Sequence, residues 1–212
     1  MNIEVFVVGA FEENTYLLSD ASGEAVFVDP GDEGDALADE LRARELTLKA
    51  IWLTHAHIDH IGGIAGLKRS FDVPVFMHPD DTPVYARGSD VARMYGLPFE
   101  EAPHPERALA EGDEVRVGSL RFSVMHVPGH APGHVAFVGH GVAFSGDCLF
   151  AGSIGRSDLP LSDPVQLEAS LERLAGLPPE TRVLPGHGPE TTIGRERATN
   201  PFLNGLARPL SR

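Results

Sequence analysis

Short apolar runs broken by Gly, Pro and Asp turns fill the first third of the chain and predict strands. Residues 1–8 read as an opening strand. Residues 14–18 and 25–29 read as a pair joined at Asp20-Ala21-Ser22-Gly23, so the chain starts as a β-meander. The period then changes. Across residues 35–46, Leu37, Ala38 and Leu41 share one face while Asp39, Glu40, Arg42 and Arg44 take the other, which predicts an amphipathic helix covering the sheet. Residues 49–53 form a buried strand, and Ile61, Ile64, Leu67 and Phe71 then recur at roughly helical spacing, predicting one helix from His60.

Residues 73–77 predict a strand near a sheet edge, because Pro74 cannot donate to a ladder. Residues 97–114 show no period, and most of them read as a surface loop. Gly118-Ser119 is a hairpin signal between residues 115–117 and 120–124, and residues 134–138 and 142–145 pair around Gly139-His140-Gly141. The clearest helix starts at Asp163-Pro164: Asp163 caps it, Pro164 stands at N1, Gln166 completes a capping box, and Leu167, Leu171 and Leu174 point inward until Gly176. A short strand at 182–184, a polar helix at 195–200 and a tail that frays from Ala207 complete the chain. Strands in two groups, with helices after the first and near the end, fit two sheets face to face with helices outside both. No repeat or boundary divides residues 1–212, which read as a single domain.

Composition and charge narrow the function. With 212 residues and 42% hydrophobic content, the chain can bury about 70% of its unfolded surface and needs no staples. Its single cysteine, Cys148, excludes an internal disulfide, fits a reducing compartment, and sits beside Leu149 and Phe150 as a small buried side chain. The N-terminus carries an early Glu4 instead of a basic leader, and no apolar run approaches the ~18 residues of a membrane span, so a soluble cytoplasmic protein is expected. A formal charge of −14 disfavours nucleic acid and anionic membranes as partners.

The candidate chemistry lies in Thr54-His55-Ala56-His57-Ile58-Asp59-His60, at the carboxyl end of the 49–53 strand, where open α/β sheets place their sites. Imidazole nitrogen and carboxylate oxygen are the donors that zinc, iron and manganese accept, and i, i+2 alternation aims neighbouring rings at one point. Downstream, Asp147 and His187 also follow strands, and His187 is flanked by Gly186 and Gly188. His130 and His134 are four apart, but Pro132 and Gly133 exclude a helix that would stack them, so only one is a ligand and the physics leaves the choice open. His78, His104, His126 and His140 have no partner pattern and read as surface or satisfied core residues. Structural zinc sites are closed and usually sulfur-rich, whereas this motif has no Cys and leaves room for water.

The His55–His60 run followed by Pro128-Gly129-His130, Ser145-Gly146-Asp147 and Pro185-Gly186-His187, in that order, resembles the metallo-β-lactamase superfamily. Asn14-Thr15-Tyr16-Leu17, Val28-Asp29-Pro30-Gly31 and the stretch from Gly146 through Gly155-Arg156-Ser157-Asp158 to Pro160 resemble its glyoxalase II-like branch, the short bacterial hydroxyacylglutathione hydrolase-like enzymes. The resemblance implies a mixed α/β, four-layer αβ/βα sandwich. It implies His55, His57 and His130 on one metal, Asp59, His60 and His187 on a second, and Asp147 bridging. It also implies Asp29 behind the ligand loop and Arg156 as the substrate-gripping cation. No counterpart of the C-terminal helical domain that helps glyoxalase II bind glutathione is expected, and Ser157 and Asp158 replace the aromatic that usually follows Arg156.

The expected activity is therefore metal-dependent hydrolysis of a glutathione-type or other small thioester. A hydroxide between two divalent metals, zinc before iron or manganese, would attack, with Asp59 and Asp147 in the catalytic centre. The cations outweigh the site's acids, so a small anionic substrate can dock on an acidic protein. The alternatives are a persulfide dioxygenase-like enzyme with one iron on His55, His130 and Asp147, and another ester or lactone hydrolase.

Overall fold

Alternation along each strand decides the layers. The structure is a computed structural model that describes residues 1–209; the last part of the expected fraying tail, residues 210–212, lies outside the described residues. Strands β1 (Asn2–Val8), β2 (Glu13–Ser19) and β3 (Glu24–Val28) form the expected meander, and helix α1 (Gly34–Ala43) crosses over to the parallel strand β4 (Thr47–Trp52). In β3, Ala25 and Phe27 point toward α1, while Val26 and Val28 point away from it. This two-residue period lets one strand serve two cores.

Where one helix is expected after β4 there are two, α2 (Ile58–Ile61) and α3 (Ile64–Ser70). The break falls at Gly62-Gly63 because the Gly63 N–H donates to the Pro30 carbonyl at 2.8 Å. Neither glycine has room for a side chain: a Cβ would meet the Gly31 carbonyl oxygen from Gly62 and that of Asp32 from Gly63. Leu37 and Leu41 of α1 and Ile64 and Leu67 of α3 fill the first core, outside the sheet.

Strand β5 (Val75–Met77) lies near the sheet edge, as Pro74 suggests, one strand in from it. Pro74 stands just before the strand, and β5 pairs in parallel with β4 on one side and with β6 (Arg107–Ala108) on the other. The segment expected to be mostly loop also contributes this edge strand, too short to register as a period. Between β5 and β6 lie a 3-10 turn (Pro79–Asp81) and two helices without a sequence forecast, α4 (Thr82–Tyr85) and α5 (Gly88–Tyr95).

The second sheet contains β7 (Glu114–Val117), β8 (Leu120–His126), β9 (Val135–Gly139), β10 (Val142–Gly146), β13 (Arg182–Pro185) and β14 (Thr191–Thr192). Its spatial order is β14-β13-β10-β9-β8-β7, and a hairpin of β11 (Leu149–Phe150) and β12 (Ser153–Ile154) stands apart. Phe122, Phe137 and Phe144 meet Trp52 in the core between the sheets, all almost fully buried. Each such side chain contributes about 1.5–3 kcal/mol relative to exposure.

Helix α6 (Pro164–Ala175) begins as its sequence predicts: Asp163 accepts from the Val165 and Gln166 N–H groups, and the Gln166 amide returns to Asp163. Its Leu167, Leu171 and Leu174 pack with Ile193 of α7 (Ile193–Thr199) on the outer face of the second sheet. The result is the mixed α/β arrangement of helix, sheet, sheet, helix. Among the described residues no helix is long and apolar enough to cross a membrane.

Candidate metal centre

Three strand ends and one loop deliver the ligand candidates to one place. β4 leads to His55 and His57, with α2 carrying Asp59 and His60; the loop between β8 and β9 carries His130; β10 leads to Asp147 and β13 to His187. Asn14 and Tyr16 of the first sheet reach across to this last turn: the Asn14 amide donates to Pro185 and Gly188 carbonyls at 2.9 and 2.8 Å, and the Tyr16 hydroxyl to Pro185 at 2.8 Å. The two sheets are thereby fixed to each other where the ligands meet.

The donor atoms fall into two clusters, His55, His57 and His130, and Asp59, His60 and His187, each with its atoms within 4.8 Å of one another. His57 Nδ1 lies 2.8 Å from His130 Nε2, and His187 Nε2 lies 3.2 Å from Asp59 Oδ2. Asp147 stands between the clusters, its Oδ2 3.6 Å from His130 Nε2 and 3.5 Å from His187 Nε2, its Oδ1 3.4 Å from His60 Nε2.

A second layer of hydrogen bonds sets which nitrogen faces inward. Thr54 donates its hydroxyl to Asp29 Oδ2 at 2.6 Å, leaving its oxygen to accept from His55 Nδ1 at 3.1 Å. His60 Nδ1 faces Asp29 Oδ2 at 3.1 Å, and His130 Nδ1 faces the Arg156 carbonyl at 2.8 Å. In each ring the outer nitrogen takes the proton and Nε2 offers a lone pair to the centre. His55 Nε2, His60 Nε2 and Asp147 Oδ1 are buried with no hydrogen-bond partner. Buried polar groups are rarely left so. Divalent cations at these positions would satisfy all three, and the imidazole and carboxylate donors fit zinc, iron or manganese.

Burial holds His55 and His130 below the usual imidazole range and takes His57 down to about 3, which favours the neutral form that ligates. Burial opposes charge on His60 most strongly, but the Asp147 and Asp29 carboxylates together outweigh it and raise His60, so a cation must displace that proton. Asp59 and Asp147 stay ionised despite burial, through His187 and His60 respectively.

His134, the other half of the His130 pair, turns away from the clusters: its Nε2 accepts from the Asp147 backbone N–H at 3.0 Å. Asp29, expected behind the ligand loop, is 2% exposed, holds a left-handed backbone at φ 50°, and accepts from the Thr54 N–H at 2.7 Å in addition to its side-chain contacts. Of the histidines without a pattern, His78 and His126 stack on each other, His140 accepts from the Arg121 N–H, and His104 is exposed. Cys148 is buried, and burial pushes its thiol pKa up.

Two supporting acids carry no motif. Asp81, fully buried, accepts from Ala56 N–H at 2.8 Å and from Gly133 N–H at 2.6 Å, tying the first ligand loop to the His130 loop. Glu13, 1% exposed, stands 3.8 Å from His60 Nδ1, and burial raises its pKa well above the carboxylate range. Their only sequence signal is an acid at the edge of an apolar run.

Above the clusters opens a pocket of about 400 Å³, with His57, Asp59, His130, Asp147 and His187 at its floor. Arg156 lines it, but its guanidinium forms a two-point ion pair with Asp158, at 2.9 and 3.0 Å. The opposite wall is built by α4 and α5.

A family model of the metallo-beta-lactamase superfamily matches residues 8–187. The chain belongs to that superfamily. Among its relatives, a hydroxyacylglutathione hydrolase, GloC, of Haemophilus influenzae is 39% identical over 96% of this chain and 99% of its own. A crystal structure of TTHA1623 in a di-iron-bound form superposes with a TM-score of 0.88 at 49% identity, covering 94% of this chain and all of the other. ETHE1 from Myxococcus xanthus is 30% identical with a TM-score of 0.82, covering 97% and 85%. The metallo-beta-lactamase fold and its metal-ligating clusters are therefore the frame for this chain's chemistry.

Proposed function

We propose that this protein hydrolyses a small thioester of the hydroxyacylglutathione type, using one divalent cation on His55, His57 and His130 and another on Asp59, His60 and His187, with Asp147 shared. The observation that carries the reading is the position of Asp147 Oδ2, 3.6 Å from a ring of one cluster and 3.5 Å from a ring of the other. Similarity to the Haemophilus influenzae hydrolase supports the substrate class, and the di-iron-bound neighbour supports a two-metal centre. Zinc is the first candidate metal, with iron and manganese compatible with the same donors.

When bound, the cations supply Lewis acidity, which makes water nucleophilic near neutral pH and polarises a carbonyl. Asp59 Oδ2, kept ionised beside His187, accepts a hydrogen bond from the attacking water and aims its oxygen at the thioester carbon. A C–O bond forms from the water oxygen to the carbonyl carbon as the C–S bond breaks, and the two water protons end on the departing sulfur and in solvent. The thiol departs as a thiolate, whose pKa near about 8.5 requires no strong general acid. Asp29, Thr54 and the Arg156 carbonyl keep His60, His55 and His130 aimed throughout. The apolar pocket walls limit bulk water at the reacting carbon.

The test is to measure metal content and then, on the same sample, S-lactoylglutathione hydrolysis and oxygen uptake with glutathione persulfide. Two metals with thioester cleavage is the expected result. One iron with oxygen uptake and no cleavage would replace this reading with the dioxygenase-like one.

A further inference from the structure

The wall formed by α4 and α5 carries a chemical pattern that the metal ligands do not explain. Val84, Gly88, Val91 and Tyr95 recur at i, i+4, i+7 and i+11 and line the pocket as one helical face, with Arg87 and Met94 beside them. Met94 is 80% and Tyr95 57% exposed, an unusual position for such large apolar groups beside a polar centre. Tyr95 meets Phe11 of the β1–β2 turn edge to face at 5.3 Å, which closes one end of this apolar strip.

The charges of the same pocket are unequal. The Arg156 guanidinium is already neutralised by Asp158. Arg93 and Arg156 pair with Asp90 and Asp158, whereas the Arg87 guanidinium forms no ion pair among the described residues. On a chain of net charge −14, an unpaired guanidinium on the wall of this pocket is the protein side chain best placed to hold an anionic group away from the floor.

We propose that the pocket takes an amphipathic anionic thioester, whose negative group is bound by Arg87 and whose apolar arm lies on the strip formed by Val84, Val91, Met94 and Tyr95. This rests on the thioester hydrolase reading and adds a substrate class to it. A volume of about 400 Å³ falls within the ~300–1,000 Å³ of small-molecule sites and admits an arm of several carbons. Methionine and tyrosine suit the strip, since a flexible thioether adapts to chain length while a ring anchors it.

The experiment uses probes without a scissile bond. Binding of 1-octanesulfonate, 1-octanol and methanesulfonate is measured calorimetrically on the metal-loaded protein; a sulfonate carries the charge yet ligates metals poorly. The octanesulfonate should bind at least ten-fold tighter than either half-probe. Arg87→Ala should remove most of that preference, Arg87→Lys should keep part of it, and Met94→Lys should weaken both eight-carbon probes. Arg87 is exposed, so these variants retain the fold, and a melting curve verifies it. Unchanged octanesulfonate binding in Arg87→Ala, or loss of the preference in Arg156→Ala instead, overturns the proposal. If the probes behave as expected while no thioester is cleaved, the hydrolase reading fails and only the amphipathic-anion pocket stands; if a thioester is cleaved while the probes show no preference, the pocket assignment fails and the hydrolase reading stands.

Discussion

His134 Nε2 accepts a hydrogen bond from the backbone N–H of Asp147 at 3.0 Å, so this buried imidazole supports the residue between the two clusters without facing them. Its stacking on His55 at 4.8 Å adds a second constraint. His134→Ala should therefore still bind two cations at saturation, with affinity lowered about 10–100-fold as expected for a supporting hydrogen bond. His130→Ala should lose one equivalent outright. Metal titration of both variants is the measurement, and equal losses would contradict the division of roles.

Asp81 links the two loops through backbone groups, so removing its carboxylate should loosen both. In Asp81→Ala the Ala56 and Gly133 N–H groups are left buried and unpaired, each costing about 1–3 kcal/mol, and chemical denaturation should register the sum. The pH dependence is specific. Burial raises this acid from 3.8 to about 6, and a folded-state pKa above the unfolded one means the contribution to stability is complete below 3.8 and lost as pH rises through about 6. That shift corresponds to about 3 kcal/mol. The stability of Asp81→Asn relative to wild type should thus rise by up to that amount between pH 3.8 and about 6 and level off beyond. A difference constant across this window would show that Asp81 does not titrate there.

Gly186 has no space for a methyl group. A Cβ there would overlap Asp147 Oδ1 and stand 2.7 Å from His60 Cε1. Gly186→Ala should keep the fold at a cost of about 1–3 kcal/mol while displacing Asp147 and His60 from the second cluster. Loss of one metal equivalent with a cooperative melt is the expected outcome; full metal content would show that the turn yields instead.

The residues that cluster were legible because strand-end turns put chemistry-bearing side chains into short motifs, and the strands behind them follow a two-residue period that sequence preserves. Asp163-Pro164 with Gln166 is equally local, and its cap forms as written. What escaped was non-local. Asp81 and Glu13 act through backbone and ring atoms of distant segments, so nothing adjacent to them reports the role. The face of α4 and α5 lines a pocket as well as touching the first core through Val84, and its few apolar residues are spread over two short helices with Gly88 among them, so no hydrophobic run marks it in sequence. The continuous spacing of Ile61, Ile64 and Leu67 concealed a break that depends on the Pro30 carbonyl, far away in sequence.

Whether Asp147 joins two cations is decided most directly by counting metal equivalents per chain in wild type and in His187→Ala. Two in wild type and one in the variant, with the first-cluster metal retained, is the expected result. A single equivalent in wild type that survives loss of His187 unchanged would contradict the two-cation centre.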